Sequence, residues 1–114
     1  MKYIIAVIQP DRLDPVMEEL EKRGIHYVTV TPQVLGRGRQ KGEALVYRGH
    51  KEMGSLLRKV KVEIAVNDEY VEKAIDAINV GAKSDQIGDG KIFVFDLEQC
   101  VRIHTGETGN VAIG

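Results

Sequence analysis

Apolar residues run almost unbroken from position 3 to 8, the pattern of a strand covered on both faces, and Pro10 ends the run. The period then lengthens. From Asp11 or Asp14, Leu13, Val16, Met17 and Leu20 share one helical stripe opposite Glu18, Glu19, Glu21, Lys22 and Arg23, and Gly24 supplies a stop. Residues 25–34 are rich in β-branched side chains and read as a second strand. Over residues 59–66, Val60, Val62, Ile64 and Val66 alternate with Lys61, Glu63 and Ala65, which predicts a third. Asn67 or Asp68 caps a second helix carrying Val71, Ala74, Ile75 and Ile78 on its inner stripe, with Gly81 as its end. Residues 91–97 form a fourth strand. A short extension over 101–104 precedes a tail beginning at Gly106.

Strand, helix, strand, strand, helix, strand is the split arrangement of an α+β, ferredoxin-like domain, an antiparallel sheet with both helices on one face. The link between the second and third strands, about residues 37–58, is far longer than a hairpin needs. Its mixture of charges with Tyr47, Met53, Leu56 and Leu57 suggests a projection that orders on contact with a ligand or protein.

Composition narrows this picture. At 114 residues and 43% hydrophobic content, one domain must serve every role. A net charge of -1 gives no global attraction to nucleic acid or acidic membranes, but the balance is uneven. Arg37, Arg39, Lys41, Arg48, Lys51, Arg58, Lys59 and Lys61 crowd one region against only Glu43 and Glu52. The single Cys100 excludes an internal disulfide, and the dispersed His26, His50 and His104 argue for no metal cluster. His26 reads as structural. With no signal peptide or membrane span, a reducing cytoplasm is expected.

The cationic region contains the glycine-rich stretch over residues 34–43, in which Gly36, Gly38 and Gly42 stand among Arg37, Arg39, Gln40 and Lys41. Glycines let the backbone turn N–H donors toward an anion, and the cations neutralise what amides cannot. A second such loop, Gly88-Asp-Gly-Lys91, opens the fourth strand. Arg102, just after that strand, is expected to join Lys91 at the same end of the domain. The alternatives are a flexible glycine turn for the first loop and a tight Asp-Gly turn for the second. A Walker A loop is excluded, since Lys41-Gly42-Glu43 lacks the Ser or Thr that opens a helix, and the glycine spacing does not fit a dinucleotide fingerprint. Asp11 and Asp14 complement a helix N-terminus. No nucleophile, base and orienting group can be assembled, which favours binding over catalysis.

Several motifs together carry a resemblance along nearly the whole chain: Gly38-Arg-Gln-Lys-Gly42, Val46-Tyr-Arg-Gly49, Lys59-Val-Lys61, the run from Ile87 to Val94, and Arg102 with Thr105-Gly-Glu107. The chain resembles the PII nitrogen-signalling proteins. The resemblance implies a homotrimer of ferredoxin-like subunits, with ATP or ADP competing for clefts between neighbours and a T-loop responding to Mg-ATP plus 2-oxoglutarate. Carried over by position, the nucleotide would meet Ile8, Thr29, Gly36 and Gly38. Gly88, Asp89 and Gly90 would wrap its phosphates, and Arg37, Arg39, Lys91, Arg102 and His104 lie along its path. Gln40 would ligate magnesium, while Lys59 and the amides of Gln40, Lys41 and Gly42 would hold 2-oxoglutarate. Tyr47 and Arg48 would reach a target, either an ammonium channel or an enzyme of nitrogen metabolism, so membrane contact would be peripheral and through a channel.

This sequence also departs from the family pattern. Glu52 stands where many relatives carry a uridylylated tyrosine, and His50 where cyanobacterial members carry a phosphorylated serine. Ser55 and Tyr47 remain as other acceptors. The chain is one residue longer before the first loop, and Arg37 takes a place commonly held by an aromatic. His104 stands where many relatives carry an arginine, exchanging a permanently charged group that can grip bidentately for a smaller imidazole. Two other functions stay open: a PII-like sensor of other adenine nucleotides or of bicarbonate, and a nucleic-acid-binding module, which only Tyr47 in the basic region would serve by stacking.

Overall fold

The computed structural model describes residues 1–38 and 56–114. Strand β1 (Lys2–Ile8) ends at a 3-10 turn over Pro10–Arg12, which leads into helix α1 (Leu13–Lys22). Gly24, with φ +79°, closes α1 as its spacing predicts: the Gly24 and Ile25 amides donate back to the carbonyls of Glu21 and Leu20. Strand β2 (Thr29–Gly36) begins later than the β-branched run suggested. Strand β3 (Leu57–Val66) begins two residues earlier than the alternation indicated. A second 3-10 turn over Asp68–Tyr70 opens helix α2 (Val71–Ala82), and strand β4 (Gly90–Asp96) follows. A short helix α3 (Asn110–Ile113) had no periodic signal.

The four strands lie in the order β2-β3-β1-β4, every pair antiparallel. This is the ferredoxin-like arrangement that the element order implied. Ile4, Ala6 and Ile8 of β1 and Val60, Val62, Ile64 and Val66 of β3 point to the helices, where Val16, Leu20, Ala74, Ala77 and Ile78 complete the core. No helix among the described residues is long and apolar enough to cross a membrane.

Two expectations require correction. Gly81 does not end α2 but lies inside it, because the absence of a side chain lets α1 approach: a Cβ there would stand 2.6 Å from the Val16 Cα. Asn67 does not cap the second helix through its side chain; its Nδ2 donates to the Asn110 carbonyl at 3.2 Å, tying α3 to the sheet.

The strand β1 is central, yet helices cover only one of its faces. Residues opposite one another in an antiparallel pair share a face, so Tyr3, Ile5 and Val7 stand with Phe95, Phe93 and Lys91 of β4 and with Ala65, Glu63 and Lys61 of β3. Phe93 and Phe95 are 45% and 50% exposed there.

Candidate functional site

The glycine-lysine loop takes its shape from its own residues. Asp85 adopts a positive φ of 62°, and Gly88 and Gly90 have φ of +101° and +118°. The Asp89 carboxylate fills the ring of this turn, accepting from the Ser84 amide at 2.7 Å, the Asp85 amide at 3.1 Å and the Ser84 hydroxyl. These bonds, the Ser84 hydroxyl first, hold the Asp89 carboxyl below the ordinary carboxylate value. Its oxygens therefore serve the loop rather than a ligand.

Opposite the loop lies Lys59, 7% exposed, with its Nζ 3.5 Å from the Gly88 carbonyl oxygen. Burial lowers its pKa from the ordinary lysine value. Gly36 packs over its stem; a Cβ at Gly36 would touch the Lys59 Cγ at 3.4 Å. An open cleft gathers Gly36, Arg37, Gly38, Lys59, Gln86, Gly88, Asp89, Gly90 and Lys91. Among the described residues its lining holds the cations Arg37, Lys59 and Lys91 and the single carboxylate of Asp89, whose oxygens accept from Ser84 and Asp85.

Arg102 does not join this cleft. Lys91 pairs with Val7 at one end of β1, whereas Arg102 lines a second cleft with Tyr3, Tyr27, Thr29, Glu63 and Cys100 at the other. The expectation of one shared end fails within a single chain because β4 carries the backbone away, by roughly 13 Å over the four residues from Val7 to Tyr3. In the second cleft the Tyr3 hydroxyl donates to Glu63 Oε1 at 2.7 Å, and that bond, reinforced by burial, pushes the phenol up to about 12. Arg102 is held by its own arm: its amide donates to the Glu107 carbonyl, and its Nε lies 3.7 Å from Glu107 Oε1. The extension after β4 pairs with itself, through a bridge between Val101 and Thr108.

The remaining expected residues are scattered. Ile8 turns its side chain into the core, 1% exposed, while its backbone pairs with Gly90. His104 is exposed at the tip of the arm. His26 is also exposed, its Nδ1 3.0 Å from Glu21 Oε2, so nothing buries it as a structural histidine would be buried. Arg39, Gln40, Lys41, Gly42, Tyr47, Arg48, His50 and Glu52 lie outside the described residues. Among those described, no group of three His, Cys, Asp or Glu could hold a metal ion.

Sequence reasoning missed Gln9, Ser84, Gln86, Tyr3 and Glu63. Ser84 and Gln86 belong to the turn before the glycines, where the residue order already places them beside the loop. Tyr3 and Glu63 become neighbours only through strand pairing, and no local motif marks them.

The family described as Nitrogen regulatory protein P-II matches residues 1–107. A Nitrogen regulatory protein P-II from Rhizobium etli is 50% identical over 113 residues, covering 99% of this chain and all of the relative. Nitrogen regulatory protein GlnK1 from Methanosarcina mazei is likewise 50% identical, over 115 residues, covering 99% of this chain and 97% of its own. Among solved structures, Arabidopsis thaliana PII bound to citrate is similar with a TM-score of 0.79 and 35% identity, over 98% of this chain and 88% of that one.

Proposed function

The chain belongs to the nitrogen regulatory protein P-II family, and from that premise we propose that it is a cytoplasmic, non-enzymatic signal integrator reading ATP, ADP and 2-oxoglutarate. Its output is the docking of the segment containing Tyr47 and Arg48 onto a target, an ammonium channel or an enzyme of nitrogen metabolism.

One observation carries the reading. The cationic loop with Lys59 and Lys91, and the cleft with Thr29 and Arg102, occupy opposite ends of a sheet in one chain. A neighbouring copy, laid against the open face bearing Phe93 and Phe95, would bring one end of each chain to the other end of the next. A homotrimer with three such clefts satisfies this by rotation. ATP or ADP would place its phosphates against the Gly88–Gly90 backbone and Lys91, with Arg102 arriving from the neighbour. Magnesium would rest on phosphate oxygens and Gln40, since Asp89 is committed to Ser84 and Asp85. The bound metal would gather the phosphates and 2-oxoglutarate around one charge.

Lys59 is the residue for the effector carboxylate, and the citrate of the Arabidopsis structure shows a PII relative accepting a polycarboxylate. Coupling is reciprocal, so 2-oxoglutarate that strengthens ATP binding must itself be strengthened by ATP. We expect Lys59→Ala to abolish the 2-oxoglutarate effect in calorimetric titrations with Mg-ATP while ADP affinity stays largely intact. Loss of both together would refute these roles.

A further inference from the structure

Gln9 lines neither of the two clefts, yet its side chain reaches the Gly88–Gly90 loop that lines the first. Pro10 restricts the residue before it to extended backbone, and Gln9 sits there at φ -69° and ψ 143°. Its carbonyl accepts from the Arg12 amide at 3.0 Å, closing the 3-10 turn. The root of the side chain is thereby fixed, and its carboxamide Nε2 donates to the Gly88 carbonyl at 2.5 Å, across 79 residues of sequence.

The geometry points to Gln9 as a positioning residue of the phosphate site: a latch that sets the Gly88–Asp89 peptide of the anion loop without itself touching the ligand. A peptide unit is planar with its carbonyl and N–H on opposite sides. Holding the Gly88 oxygen therefore also holds the Asp89 N–H, directed away from Gln9. Gly88 needs this restraint, since with φ +101° and no side chain it has wide conformational freedom. The loop is gripped on both flanks of that peptide. Asp89 ties the preceding turn through Ser84 and Asp85, and Gly90 is pressed so closely to β1 that a Cβ would lie 1.9 Å from the Val7 oxygen. Between these grips, Gln9 fixes the remaining peptide. Lys59 reaches the same oxygen only at 3.5 Å, so a ligand that draws Lys59 away leaves the peptide still held.

The latch rests on the proposed phosphate role of this loop, and two measurements separate them. In ligand-free protein, Gln9→Met removes the donor at similar length, and the Asp89 amide order parameter is expected to fall from the rigid range, about 0.85, to below about 0.6. Gln9→Lys restores a donor of similar reach and should restore the higher order, which a merely packing role would not predict. Equal order in wild type and Gln9→Met overturns the latch whatever the ligand. In calorimetric titration with ADP, Gln9→Met should bind about fivefold more weakly and Gln9→Lys close to wild type. Unchanged affinity in Gln9→Met overturns the link from latch to site. Failure of the wild-type chain to bind ADP overturns the phosphate role and that link together, while the order parameter still judges the latch.

Discussion

At Gly90 no other residue fits: the Val7 carbonyl oxygen occupies the place of a side chain, and φ is +118°. The neighbouring Asp89 is constrained for a different reason, its carboxylate being the acceptor around which Ser84 and Asp85 close. A carboxyl held below its unfolded value stabilises fully above that value, near 3.8, and the contribution disappears as pH falls through the lower folded value. The Ser84 amide resonance should therefore remain unmoved down to the ordinary carboxylate range and shift only below it. In Asp89→Asn that transition should be absent; a shift centred at or above the ordinary value would contradict the ring. The Gly88-Asp-Gly-Lys91 motif made this loop legible from the sequence because its glycines and its aspartate are each demanded by local chemistry. Gln9 and Ser84 carry no such mark, since their importance arises from what the fold sets beside them.

At the scale of elements, periodicity located each main strand and helix, and failed where tertiary contact overrode local meaning. Gly81 is the clearest case. Exposed in a helix, glycine to alanine would gain about 1 kcal/mol from propensity, but here the new Cβ would meet the Val16 backbone at 2.6 Å and 2.7 Å. Two helix backbones cannot separate without opening the core, so overpacking dominates. Chemical denaturation of Gly81→Ala is expected to show a net loss of about 1–3 kcal/mol, and a gain would mean that α1 and α2 are not so closely packed. Strand β2 offers a second case. Thr31 faces Lys61 and Val34 faces Lys59, so β2 carries one residue more than β3 between those pairs, at Pro32 and Gln33. A bulge of this kind takes up an additional residue while restoring the register. Pro32 is tolerated because β2 is an edge strand.

Among the described residues, helices cover one face of the sheet. The unbroken apolar run of β1 predicts burial on both sides, but within one chain helices shield only Ile4, Ala6 and Ile8; Tyr3, Ile5 and Val7 are left half-buried beside the exposed Phe93 and Phe95. The homotrimer proposed above would supply the second cover that this run predicts. In that proposed trimer a neighbour would also bring Arg102 to Lys91, which stand at opposite ends of the sheet within one chain. The most direct test is to mix two damaged proteins. Lys91→Ala and Arg102→Ala each disable a different half of the cleft, and each alone should bind ADP weakly. Unfolded together in equal amounts and refolded as random trimers, they should regain tight binding in about a quarter of the clefts, those where an intact half from each chain meets. Calorimetric titration counts those sites. Recovery near that fraction is the result this account predicts; no recovery from the mixture, in trimers that assemble normally, would contradict it.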